Sequence, residues 1–176
     1  MRSKMFWALL AVLGSVAVYG GIALATPPSG VTNPPWAPVI GNFPNGIDAT
    51  AKTDVNPGDA TDFWQVRISA KGATDVHILE NVIHPGGSFG WHSHPGPSLV
   101  IVNSGTLSAY HAPDCTPQDF GPTSTLGSTF IDQGHDLHMV RNNGSVDADV
   151  YVVSFVPAGF PRRIDEPNPN PSTCPN

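Results

Sequence analysis

Charged residues are scarce in this sequence, and no stretch of it is strongly basic. Asp, Glu, Lys and Arg make up 12% of the 176 residues, and the formal net charge is -6. Proteins that bind nucleic acids neutralise phosphates with clustered Lys and Arg. The composition therefore predicts no nucleic-acid partner. The length is sufficient for one domain with a sizeable core and too short for two ordinary domains.

Long apolar runs are also rare, and the one long enough to span a bilayer lies at the N-terminus. It follows Arg2 and Lys4, extends from Met5 to Ala25, and ends in the small-x-small sequence Ala-Leu-Ala. This pattern is typical of an export signal, so residues 1–25 are predicted to be a cleaved signal peptide. An uncleaved membrane anchor is the alternative. Both interpretations place the protein outside the cytoplasm, secreted or held at the cell surface.

Only two cysteines occur, Cys115 and Cys174. An oxidising compartment favours a single disulfide between them, and two free thiols are the alternative. The bond would close a loop of about 60 residues and restrain the unfolded chain by about 4 kcal/mol in the chain-entropy model. Its predicted role is to fasten a C-terminal tail to the domain.

Helix-forming stretches are lacking as well, because 19 prolines and 18 glycines interrupt the chain. This composition predicts an all-β domain of short strands joined by turns. Residues 26–62 are predicted to be a Pro-rich extended arm, and residues 161–176 an irregular Pro-rich tail. Between them, the alternation over Phe63–Ser69 predicts a half-buried strand. The apolar run Leu99–Val102 predicts a strand buried on both faces.

Histidines give the clearest functional signal. His92 and His94 are one residue apart, and in an extended strand such residues point to the same side, where their rings could share one metal ion. A second stretch offers His138, together with His135, as the source of a third imidazole.

These stretches resemble the two sequence motifs of the cupin superfamily, Gly-x5-His-x-His-x3,4-Glu-x6-Gly and Gly-x5-Pro-x-Gly-x2-His-x3-Asn. The matching positions are Gly86, His92, His94, Gly105, Gly127, His138 and Asn142. The sequence departs from the motifs at Ser98, where glutamate is usual, at Gln133 in place of proline, and at His135 in place of glycine. The resemblance covers residues 63–160 and implies a single-domain double-stranded β-helix, the jelly-roll barrel of cupins.

The resemblance also implies that His92, His94 and His138 converge on one divalent metal ion inside the barrel. With serine in place of the usual carboxylate, the chain is similar to three-histidine cupins, some of which are iron-dependent dioxygenases. Asp136 is an alternative fourth ligand, provided that its segment is extended and the side chain points inward. The ion could be Fe, Zn, Cu, Ni or Mn, because imidazole ligands suit several of these metals.

Two functions from different classes follow from this comparison. The first is a metal-dependent enzyme, with a dioxygenase-type oxidoreductase acting on a small molecule as the leading reaction. The second is a non-catalytic module that binds a metal or a small ligand. A barrel that has lost its metal and is retained as a structural part is the remaining alternative. No acid–base pair stands out, so catalytic residues are not identified. The resemblance also implies that a homodimer can form, and membrane contact is expected only if the N-terminal segment is uncleaved.

Overall fold

The computed structural model describes residues 24–176 with the exception of Ala60, and within that range the regular structure is all β. The predicted signal segment lies almost entirely outside the described residues. No helix in the described range is long and apolar enough to cross a membrane. The strands are β1 Ser29–Thr32, β2 Val39–Phe43, β3 Ile47–Asp54, β4 Phe63–Ala70, β5 Thr74–Ser88, β6 His92–Ser93, β7 Ser98–Ser104, β8 Leu107–His111, β9 Gln118–Phe120, β10 Thr129–Asp132, β11 His138–Arg141, β12 Ala148–Pro157 and β13 Ile164–Asp165.

Eleven of these strands form one antiparallel sheet that curls into a nearly closed barrel. Its main order is β10-β7-β12-β5-β11-β6-β13, with β8 and β9 added beside β11, and β1 and β2 added to β5. The long strand β5 pairs along its length with β12 and also meets β11, which joins the two walls of the barrel. The predicted all-β fold, a double-stranded β-helix, is confirmed.

Alternation along the strands separates the barrel interior from its surface. In β12 the buried positions recur at every second residue, and β7 follows the same period. Leu99 and Ile101 are exposed on the outer face of β7, so the prediction that this run is buried on both faces is wrong. Their side chains are 43% and 48% exposed, so this face of β7 stays partly at the surface. The main apolar core consists of Leu79, Ile83, Val100, Val102, Leu107, Ala109, Phe120, Val140, Ala148, Val150 and Val152.

The predicted N-terminal arm is built of strands. Its first two strands, β1 and β2, pair with β5. Strand β3 pairs with β4 in a separate two-stranded sheet. Strand β4 forms where the alternation predicts it, but it is almost entirely exposed rather than half-buried. Among the described residues it pairs with β3 alone. The boundary drawn at residue 63 falls within this hairpin, and the domain limits stay a prediction.

The C-terminal tail is docked on the barrel. Cys115 and Cys174 form the predicted disulfide, with an S–S distance of 1.98 Å and a Cα–Cα distance of 5.3 Å. Strand β13 of the tail pairs with β6, the strand that begins at His92. The indole Nε1 of Trp91 donates a hydrogen bond to the Pro175 carbonyl oxygen at 2.8 Å. Trp91 is fully buried in a second core cluster that includes both half-cystines.

Candidate metal centre

The structure brings the three predicted histidines together inside the barrel. His92 on β6 lies directly opposite His138 on β11 in the strand register, and His94 follows β6. The ring centroid of His92 is 4.3 Å from that of His138 and 4.8 Å from that of His94. The ring centroids of His94 and His138 are 5.3 Å apart. One ring nitrogen from each histidine lies within 4.8 Å of the others, and all three residues are buried.

Backbone carbonyls fix the tautomer of each ring. The Nδ1 atom of His92 donates to the Gly90 oxygen at 2.8 Å. In the same way, His94 Nδ1 donates to the Arg162 oxygen at 2.6 Å, and His138 Nδ1 to the Asp136 oxygen at 2.9 Å. A carbonyl only accepts hydrogen bonds, so each Nδ1 carries the ring proton and each Nε2 keeps its lone pair. Metal-ligating histidines are oriented by this type of contact.

Burial keeps the three imidazoles neutral. Removal from water lowers the pKa of His92 well below its ordinary value, and the nearby His138 lowers it further. Burial also lowers the pKa of His94 to about 4, and it lowers the pKa of His138. Metal binding requires unprotonated imidazole, so these rings are in the form that can accept a metal near neutral pH.

Asp132 is a fourth polar side chain at this centre, and the sequence analysis missed it. It lies at the end of β10, is 3% exposed, and places Oδ2 3.2 Å from His94 Nε2 and 3.4 Å from His138 Nε2. The sequence contained no signal for it, since Phe130 and Ile131 are both apolar, but in the structure Phe130 packs against the core while Ile131 is 62% exposed. A side chain two residues after Phe130 therefore points inward.

Asp136 does not join the three imidazoles. Its Oδ2 atom lies 2.5 Å from Nδ1 of His111, and both side chains are partly exposed. The physical reason is the turn before it, where Gly134 and His135 have φ values of 82° and 56°. These left-handed conformations break the extended backbone that would have pointed the Asp136 side chain inward.

The remaining polar residues of the two motifs have structural contacts. Asn142 is fully buried, accepts a hydrogen bond from the Gly144 amide at 2.8 Å and donates to the Val146 oxygen at 2.7 Å, so it holds the turn. The His135 amide donates to the His94 oxygen at 2.7 Å. His84 lies at the surface, with Nδ1 2.9 Å from an Asp147 carboxylate oxygen.

The centre borders a small cavity of about 40 Å³ inside the barrel. A buried water requires about 10–15 Å³ on this measure, so there is room for an ion and a few small ligands. Arg162 contributes the positively charged part of the wall, and burial lowers the pKa of its guanidinium to about 10, which leaves it charged at neutral pH. The lining residues are Asn81, Phe89, His92, His94, Ser98, Val100, Leu107, Phe130, Asp132, His138, Val140, Val150, Val152 and Arg162.

Comparisons with known proteins give similar folds and no close relative. No family model matches the chain. A search of curated proteins gives no match either. A solved double-stranded β-helix protein from Klebsiella pneumoniae is 17% identical, covering 53% of this chain and 76% of that chain, with a TM-score of 0.43. A cupin-like protein from Thermotoga maritima is 15% identical over 56% of this chain and 69% of that chain, with a TM-score of 0.44.

The polyketide cyclase RemF from Streptomyces resistomycificus is another similar structure, with 18% identity over 51% of this chain and 59% of that chain and a TM-score of 0.43. The fold assignment itself depends on the strand order and on the two histidine motifs. Together they define a double-stranded β-helix protein with a buried three-histidine cluster. The described residues form a single antiparallel barrel with this cluster inside it.

Proposed function

We propose that this protein binds one divalent metal ion through the Nε2 atoms of His92, His94 and His138. The observation that carries the proposal is the set of three Nδ1-to-carbonyl hydrogen bonds. They leave three lone pairs directed into one buried space. A divalent cation such as Fe, Zn, Cu, Ni or Mn is the partner that such a donor set fits.

The leading reaction is an oxygenation of a small molecule at this centre. A bound ion with open coordination positions would supply Lewis-acid or redox activation of oxygen or water. The residues of this chain hold the donor atoms in place, and Val100 of β7 with Val150 and Val152 of β12 form an apolar part of the cavity wall. Arg162 adds positive charge to the cavity wall, which favours a small anionic substrate.

A non-catalytic metal- or ligand-binding module is the second candidate. The cavity volume of about 40 Å³ favours it, because that space suits an ion and waters better than an organic substrate. The disulfide between Cys115 and Cys174 is compatible with a place of action outside the cytoplasm for either function.

Metal analysis of the purified protein and of a His94→Ala variant tests the proposal. We expect about one first-row metal ion per chain in the wild type and loss of that ion in the variant, because one of three ligands is removed. Oxygen uptake on addition of small thiols or diketones would identify an oxygenase. Stable metal binding without turnover would identify the second candidate.

The matched control is His84→Ala, which makes the same change at an imidazole on the surface. It should retain the metal content of the wild type. Equal metal content in the wild type and in His94→Ala, or no metal bound by the wild type after exposure to each candidate ion, would refute the proposal.

A further inference from the structure

We propose that Asp132 is a fourth ligand of the same ion, so that the centre contains three imidazoles and one carboxylate. The inference rests on the proposed metal binding and adds a residue that neither motif contains. Asp132 would supply the carboxylate that the cupin motif places at the position of Ser98. The chemical class of ligand stays a divalent first-row metal ion.

The strand register places Asp132 where a substitute for the missing glutamate can reach the centre. Asp132 of β10 is paired directly with Ser98 of β7 in the antiparallel ladder, so the two side chains lie side by side on the inner face. The Ser98 hydroxyl is hydrogen-bonded to Ser154 Oγ at 2.8 Å, and both serines are buried. The carboxylate is thus supplied by the neighbouring strand.

The distances fit a shared ion. With metal–ligand bonds of about 2.1 Å, neighbouring ligand atoms are about 3.0 Å apart in an octahedron and about 3.4 Å apart in a tetrahedron. The Oδ2 atom of Asp132 lies 3.2 Å from His94 Nε2 and 3.4 Å from His138 Nε2. These separations are those of atoms that occupy adjacent corners of one coordination polyhedron.

The hydrogen-bond inventory also points to a cation. Asp132 Oδ2 is buried and has no hydrogen-bond partner among the described residues. The two facing Nε2 atoms cannot donate to it, because the ring protons of His94 and His138 are held at Nδ1 by carbonyl oxygens. Three lone-pair atoms therefore face one another in a buried space, which is costly unless a positive charge lies between them.

The other carboxylate oxygen keeps Asp132 oriented. Its Oδ1 atom accepts a hydrogen bond from the Gly134 amide at 3.1 Å. This contact directs Oδ2 towards the imidazoles and leaves its lone pairs free. With Asp132 bound, one negative charge offsets half of the ion's charge, which favours metals that accept mixed imidazole and carboxylate ligands, such as Fe²⁺ and Mn²⁺, over Cu⁺.

The test compares Asp132→Asn with Asp147→Asn in Co²⁺ titrations followed by visible absorption. Asparagine retains Oδ1 and the hydrogen bond to Gly134 but removes the charge. We expect Asp132→Asn to weaken Co²⁺ binding by about 100-fold or more and to change the d–d spectrum, because loss of a direct ligand exceeds the 10–100-fold cost typical of outer contacts. Asp147→Asn makes the same change at a surface carboxylate that contacts His84, and it should leave both readouts unchanged.

A crystal structure of the wild type with Zn²⁺ gives a second readout that requires no variant. We expect a Zn–Oδ2 distance of about 2.0–2.2 Å to Asp132. A bound ion with this oxygen outside coordination distance, or a variant with unchanged affinity and spectrum, would overturn the inference while leaving the three-histidine centre intact. Failure of the wild type to bind any ion would instead refute the proposed function.

Discussion

The strands around the three-histidine centre and those of the β3–β4 hairpin are of the same kind but differ in what covers them. Around the centre, each strand faces an enclosed interior, and the three imidazoles are buried. In the hairpin, the large side chains Phe63, Trp64, Val66 and Ile68 are between 36% and 52% exposed. Strand propensity is therefore sufficient for two strands to pair. Burial of polar side chains, which a binding site requires, also needs other strands to enclose one face of the sheet.

The largest expected difference between the two regions is in stability, and one tryptophan from each region tests it. Trp91 is fully buried beside the disulfide and donates to the Pro175 oxygen, whereas Trp64 is 52% exposed on β4. We expect Trp91→Ala to lower the free energy of unfolding by about 3–5 kcal/mol, because it leaves a large cavity. Trp64→Ala should change it by less than about 0.5 kcal/mol. Urea unfolding measures both, and equal effects would mean that the two regions do not differ in packing.

Removal of the disulfide tests how the C-terminal tail is held on the barrel. The double variant Cys115→Ala/Cys174→Ala opens a loop with a sequence separation of 59 residues. We expect a loss of about 2–4 kcal/mol in unfolding free energy, because the unfolded chain gains conformational freedom. The measurement is denaturant unfolding of the variant beside the oxidised wild type. An unchanged unfolding midpoint would show that hydrogen bonds alone fasten the tail.

Asn142→Ala gives a smaller effect within the barrel. The side chain donates to the Ile83 and Val146 oxygens at 2.8 and 2.7 Å, and substitution leaves these buried acceptors without their partner. We expect a loss of about 1–3 kcal/mol in thermal or chemical unfolding. Asn143→Ala, one residue along the same turn, is the neighbouring comparison. A larger loss for Asn143→Ala than for Asn142→Ala would contradict this assignment of the turn contacts.

The barrel and the histidine cluster were predictable because their signals are local or follow a fixed spacing. The pair His92 and His94 shares a face through strand alternation, and His138 occupies the matching place in the second motif. The identity of the inward carboxylate was not predictable in this way. Asp132 reaches the centre through its pairing with Ser98, and strand register between distant segments is set by tertiary packing.

Burial was the least predictable property. The alternation of β4 predicts one buried face, and the apolar run of β7 predicts two, yet β4 is exposed and β7 has one exposed face. A sequence pattern gives the direction of a side chain relative to its strand. Whether another layer covers that side depends on the path of the remaining chain.

The carbonyl of Arg162 that orients His94 belongs to the same segment that the disulfide fastens to the barrel. The disulfide thus helps to hold the carbonyl that orients one of the three imidazole rings. The His94 ring therefore has its carbonyl partner only when the tail is docked on the barrel. If the proposed metal binding holds, reduction of the disulfide is therefore expected to weaken it, because His94 would lose the contact that directs its ring.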